Sequence, residues 1–286
     1  MKVSEGVKIG ILAGLVGVVF YPTFVWLWDQ WMAAESYYSH GPLIVAASAF
    51  FAWGERRRVR ECAGKPSRSG LVLMVAAILQ HFVGLTINVF FLSGIALIIL
   101  LLGLTVYLKG WKATWLLLFP IAYLIFMIPL PLVVVSNIII GMKLFAGRAA
   151  TIVLNNIGIF AVHSGSAIRT AHSYLEIEAP CSGLRSLIAL AAFGAAFAYL
   201  SKIGLMRKIW LFLATAPIAL GANILRIVLL GWVAEVFGTD AVHGWVHDAS
   251  GFLLFAIAAL GLFFVYSFLV PVREDAMGPG PGAEGK

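Results

Sequence analysis

Long apolar stretches broken by short polar punctuation fill the chain from residue 9 to residue 270. They cover residues 9–28, 43–53, 70–88, 90–108, 111–130, 182–200, 209–227 and 251–270. Most approach 20 residues, which at about 1.5 Å of rise per residue crosses a hydrocarbon layer of ~30 Å. The pattern predicts an all-α polytopic membrane protein of about eight transmembrane helices. Almost no loop separates the third stretch from the fourth, so these two form a tight helical hairpin. Pro129 and Pro131 stop the fifth. Residues 131–180 contain no clear crossing. Within them, 136–156 has helical spacing with Asn137, Lys143, Arg148 and Asn155 among apolar residues, which predicts an interfacial helix. The alternation at 174–178 predicts a strand and a small hairpin leading to Cys181.

Composition agrees with this class. Of 286 residues, 62% are hydrophobic and 12% charged, more apolar surface than a soluble fold of this size can bury. One membrane domain over residues 1–272 is expected, with 131–180 as its extracytoplasmic segment. The Pro/Gly-rich tail at 273–286 reads as disordered. Residues 9–28 compete with a signal-peptide reading, but the run is long and residues 24–31 form an aromatic belt instead of a small-residue cleavage site.

The net charge of +7 matters through its placement. Arg56, Arg57, Arg58, Arg60, Lys65 and Arg68 crowd one connection, and a cytoplasmic N-terminus puts 15 of the 20 basic residues inside. The positive-inside tendency therefore selects an N-in, C-in topology. This basic cluster marks topology and does not suggest nucleic acid. The lipid bilayer is the partner that composition itself requires. Cys62 and Cys181 are the two cysteines, so no disulfide framework supports the fold; Cys62, in the basic loop, reads as an incidental thiol.

Cys181 differs from Cys62 in its setting. It sits in 178–187, Glu-Ala-Pro-Cys-Ser-Gly-Leu-Arg-Ser-Leu, where a polar segment gives way to an apolar helix. Pro180 suits a helix start, and Ser182 and Gly183 leave the backbone near the sulfur uncrowded. A thiol at a helix N-terminus feels the positive end of the dipole, which favours the nucleophilic thiolate. A buried, inert cysteine is the other reading of this position.

On the eight-helix topology Cys181 opens span six, Arg226 closes span seven and His247 precedes span eight, all at the outer face. An arginine near the hydrocarbon edge points to function, with snorkelling to headgroups as the alternative. Asn223 lies three residues before Arg226 on the same helical face. His243 competes with His247 for any role. His40, His163 and His172 raise the question of zinc, but the spacings His243-x3-His247 and His163-x8-His172 lack the acidic partner of a His-Glu-x-x-His helix, and no metal or cofactor is expected.

Three stretches carry a resemblance: 178–185 around Cys181, Asn223-Ile-Leu-Arg226-Ile, and His247-x3-Gly251. In this order they resemble the active-site signatures of the exosortase/archaeosortase family. Tyr38-Ser-His40-Gly41 resembles its N-terminal signature, and residues 119–131 its proline-ended fifth span. The resemblance runs from about Tyr38 to about Phe255. It implies an integral-membrane cysteine transpeptidase or protease in the cytoplasmic membrane of a prokaryote, with its active site facing outside. Its partners would be exported proteins carrying a C-terminal sorting signal: a short motif such as Pro-Glu-Pro, a transmembrane helix and a basic tail. It assigns the nucleophile to Cys181, the arginine to Arg226 and the histidine to His247. Arg185, one helical turn below Cys181, is expected to hold an acidic residue of the signal, with snorkelling as the other reading, and Asn223 and His40 are the other expected substrate contacts. His163 and His172 fall in no family motif. A transporter or a noncatalytic export factor is the alternative class.

Overall fold

The computed structural model describes residues 5–34, 36–62, 65–176, 183–242 and 244–270. The segment expected to be a disordered tail, 273–286, lies outside the described residues. Among these residues ten α-helices and one small sheet follow in order: α1 Glu5–Val19, α2 Tyr21–Met32, α3 Gly41–Glu61, α4 Ser69–Thr86, α5 Phe90–Tyr123, α6 Leu132–Asn156, strands β1 Ala161–Ser164, β2 Ala167–Thr170 and β3 Tyr174–Glu176, then α7 Leu184–Leu200, α8 Leu205–Leu213, α9 Thr215–Phe237 and α10 Trp245–Leu269. This is a helical polytopic membrane protein. Five helical stretches are long and apolar enough to cross a membrane, or six if α1 and α2 are counted as one bent span.

The first apolar run is not one rod. Its two helices meet at 71° around Phe20, because Pro22 in the first turn of α2 removes a backbone donor and starts a new helix. The break is stabilised from α4 and α5. His81 hydrogen-bonds through Nε2 with the Val19 carbonyl at 3.0 Å, and its Nδ1 lies 2.6 Å from Ser93 Oγ, which also meets Thr23 Oγ1. A carbonyl only accepts, so Nε2 carries the proton and Nδ1 accepts from Ser93.

Helix α5 is two antiparallel arms joined at Gly110, whose φ of 80° and ψ of 172° interrupt the helix. A straight helix would put Gly94 and Ile128 about 50 Å apart. A methyl at Gly94 would instead stand 2.8 Å from Ile128 Cγ2. The first arm packs backbone to backbone on α4, where a methyl at Gly70 would lie 2.4 Å from the Tyr107 nitrogen. Small residues permit such approach, the usual way helices pack in lipid.

These contacts sort the helix ends. The beginning of α3, the α4–α5 turn and the exit of α5 share one end of the bundle, hereafter the upper end. Tyr38 Oη accepts from the Leu130 amide at 3.0 Å, and Trp31 Nε1 donates to the Met127 carbonyl at 2.9 Å. Helix α7 starts at this end and α9 runs antiparallel to it: Gly183 lies against Asn223, and Gly194 against Thr215. Helix α10 is antiparallel to α9, pairing Ser250 with Arg226 and Gly261 with Ile218. Arg58 and Lys208 lie at the lower end: Arg58 pairs with Glu55 at 2.9 Å, Tyr199 donates to Glu55 at 3.2 Å, and Lys208 donates to the Tyr199 carbonyl at 2.9 Å.

Two expected boundaries move. Arg226 does not close its span; α9 continues to Phe237, because residues 227–237 are apolar apart from Glu235 and no helix stop occurs before Gly238, at φ 88°. Helix α10 begins at Trp245, so His247 lies within its first turn instead of before it.

Helix α6 has the length and composition of a crossing, yet both its ends belong to the upper end. Val135 lines a cavity with Tyr38, Phe90 and Pro131. At the other end Ala146, Ala150 and Leu154 pack with Ile227, Val228, Leu230 and Ala234 of α9, beyond the level at which α7 begins. The segment after α6 holds a three-stranded antiparallel meander, one strand more than the expected hairpin, paired Val162 with Arg169 and Ile168 with Leu175. Asn155 ties α6 to it, donating to the Ala161 carbonyl at 2.9 Å and accepting from the Ala161 amide at 3.0 Å.

Candidate functional site

Three helices converge where α7 begins. Gly183 caps α7 in a left-handed conformation, φ 80°, that side chains other than glycine's adopt at a cost of about 1–2 kcal/mol. It also touches its neighbour closely: a methyl there would stand 2.7 Å from Asn223 Cγ and 2.8 Å from Nδ2. Asn223 is fully buried, so the obstacle has nowhere to move. Gly183→Ala is expected to lower stability by about 1–3 kcal/mol, read as a drop in the unfolding midpoint in detergent. Gly221→Ala, in the same helix as Asn223 but with open space around it, is expected to be neutral or slightly stabilising.

Three residues after Asn223, the Arg226 side chain is 93% buried. Its Nε donates to Ser250 Oγ of α10 at 2.8 Å. Buried guanidinium groups require such acceptors, because an uncompensated charge at this depth is strongly destabilising. The layer is closed from both sides by hydrocarbon. Below it, Leu190 of α7, Ala219 and Ala222 of α9 and Leu254 and Ala258 of α10 form one cluster. Above it lies the cluster that α9 shares with α6 and the sheet. In such a water-poor layer a charge acts at longer range than in solvent.

Arg185 stands in the first turn of α7, two residues beyond Gly183, with its Nε buried and without a hydrogen-bond partner. That donor is available to an incoming acceptor. Cys181 and His243 lie outside the described residues, as does the side chain of His247. In sequence Cys181 is two positions before Gly183, and His247 is three positions, close to one helical turn, before Ser250.

The polypeptide on either side of 177–182 is held by α9. Glu235 accepts from Thr170 Oγ1 and from the His172 amide, and its Oε1 lies 2.8 Å from His172 Nδ1. These bonds fasten the β2–β3 turn to the upper part of α9, while Gly183 rests on Asn223 further down. His172 is thereby a docking residue. Sequence reading left it without a role because its partner is far away in the chain; Glu235, the one acidic residue of α9, was the available signal.

His40 belongs to a different assembly. It caps α3, its ring stacks on Tyr38 with centroids 6.0 Å apart, and Gly41 lies directly beneath the Trp31 indole. Burial pushes its imidazole pKa below the ordinary histidine range, against the opposing pull of the Phe126 carbonyl. Tyr38, the neighbouring Leu130 amide and Trp31 complete a clamp around the exit of α5. Among the described residues no hydrogen bond joins His40 to Asn223 or Arg226.

Fold and site together define a polytopic helical membrane protein in which α7, α9 and α10 build one buried polar layer at a single end of the bundle. Over residues 28–264, from α2 through most of α10, the chain matches the model of the transmembrane exosortases. It belongs to that family. No curated protein and no solved structure gives a significant match.

Proposed function

We propose that this exosortase is a membrane cysteine transpeptidase or endopeptidase that cleaves PEP-CTERM-like C-terminal sorting signals of exported proteins. Membership in the family supports a membrane sorting role of the transpeptidase type. One observation favours the finer reading above the others. The residue two after Cys181 rests on Asn223, and Arg226 is bonded to the helix that carries His247, so the three distant stretches of sequence meet at one layer.

In this reading the Cys181 thiolate attacks the carbonyl carbon of the scissile peptide, forming the S–C bond of a tetrahedral adduct. Arg226 donates hydrogen bonds to the oxygen as it takes on negative charge. Collapse breaks the C–N bond, and His247 passes a proton to the departing amine, leaving a thioester on Cys181. An incoming amine or water then attacks that thioester, gives its proton to His247 and releases the thiolate. Arg185, with a buried donor to spare, and Asn223 hold the signal. The packing of His40 favours a structural part in the α5 clamp over contact with substrate.

The chain crosses the cytoplasmic membrane of a prokaryote eight times, with both termini cytoplasmic. The basic residues at the lower end support this orientation. The upper end, with α6 lying along the interface, then faces outside. The test is mass spectrometry of the enzyme co-expressed with a candidate signal protein. A substrate-derived acyl fragment on Cys181, released by hydroxylamine, is expected. Turnover with no acyl enzyme at any time point, and full turnover in the Cys181→Ser variant, would overturn the mechanism.

A further inference from the structure

We infer that Ser250 is a positioning residue for Arg226: its hydroxyl sets the rotation of the guanidinium and couples it to the helix bearing His247. The inference rests on the proposed role of Arg226 and deepens it. A guanidinium on a long side chain has four rotatable torsions, and burial alone does not decide which edge it presents. Here Nε, the nitrogen nearest the stem, donates to Ser250 Oγ at 2.8 Å. Because the group is planar and rigid, fixing Nε–H also fixes the plane in which the two terminal nitrogens lie. Those nitrogens carry the remaining hydrogens, and stabilising an oxyanion depends on aiming donors before charge develops.

Ala222, Leu225, Leu229, Leu253, Leu254 and Ile257 line the apolar crevice that Arg226 and Ser250 share. Ser250 lies on α10, three residues after His247. The Arg226–Ser250 bond therefore links the orientation of the guanidinium to the helix that carries His247. Nothing in the signature around His247 and Gly251 assigns the serine between them.

The test compares Ser250→Ala, Ser250→Thr and Ser250→Val in the full chain, in native membranes, with a co-expressed signal protein. Processing is read by single-turnover kinetics at varied substrate level. Ser250→Ala is expected to lower the maximal rate about 10- to 100-fold, the range for a hydrogen bond to a charged group, with little change in half-saturation. Ser250→Thr, which keeps the hydroxyl, is expected to stay within about threefold of wild type, and its isostere Ser250→Val to behave like alanine. If alanine reduces accumulation, the threonine and valine pair decides, since both fill the same volume. In an Arg226→Lys background, which lacks Nε, the alanine change is expected to add nothing.

Wild-type rates for Ser250→Ala or Ser250→Val would overturn the inference, as would an undiminished alanine effect in the Arg226→Lys background. The two levels of the argument fail separately. An inactive Arg226→Lys with an active Ser250→Ala removes the serine's role alone. A fully active Arg226→Lys removes the arginine's role and the serine's with it.

Discussion

Cys181→Ala is expected to stop conversion of a sorting-signal substrate, at least about a thousandfold below wild type, while the protein still inserts at its normal level. In the proposed mechanism the sulfur is the atom to which the acyl group is transferred, and alanine offers no replacement. The fold has little reason to notice the loss: the start of α7 is set by Gly183 on Asn223 and by the amide of Leu187 bonding the Gly183 carbonyl at 2.8 Å. Immunoblots of precursor and product in cells expressing equal amounts of the two proteins measure the effect. Near-normal product from the alanine variant would remove the covalent mechanism and leave a noncatalytic export factor as the better description.

The second large effect is expected at Arg226. Arg226→Lys keeps the positive charge but has no Nε–H and no planar fork, so it cannot bond Ser250 and present two aimed donors together. Loss of an oxyanion donor lowers rates by about 10²- to 10³-fold, and a similar fall is expected here in the same processing assay. An effect on insertion alone would appear instead as reduced protein in the membrane fraction. Full activity with normal insertion would mean that Arg226 serves only to join α9 to α10.

Periodicity alone located most helices, because runs near 20 apolar residues have few other uses. Where it misjudged, a local feature was overruled by packing or hidden by composition. Pro22 sits inside an unbroken apolar run, and its bend became visible only through the His81 bond to Val19. Val228 to Phe237 reads like the exit of a span, yet it remains helical because α6 covers it. Motif order brought Cys181, Arg226 and His247 into one hypothesis; among the described residues of those stretches, Gly183 lies against Asn223, and Arg226 is bonded to Ser250. Ser250 and Glu235 escaped notice for a different reason. Each acts on a partner far away in sequence, and a lone serine or glutamate has no spacing to betray it.

One consequence of the α9 attachments concerns how the molecule could open. Glu235 and Asn223 lie twelve residues apart on one rigid rod, about 18 Å, and between them they secure the chain before and after residues 177–182. Any tilt of that rod carries Thr170, His172, Gly183 and Arg226 along as a single cargo. Helix α10 meets the rod at this level at Ser250 and packs below it on Leu190 of α7 and on Ala219 and Ala222 of α9. A hinge of α10 away from α9 would therefore cost both the arginine–serine bond and the burial of those apolar faces.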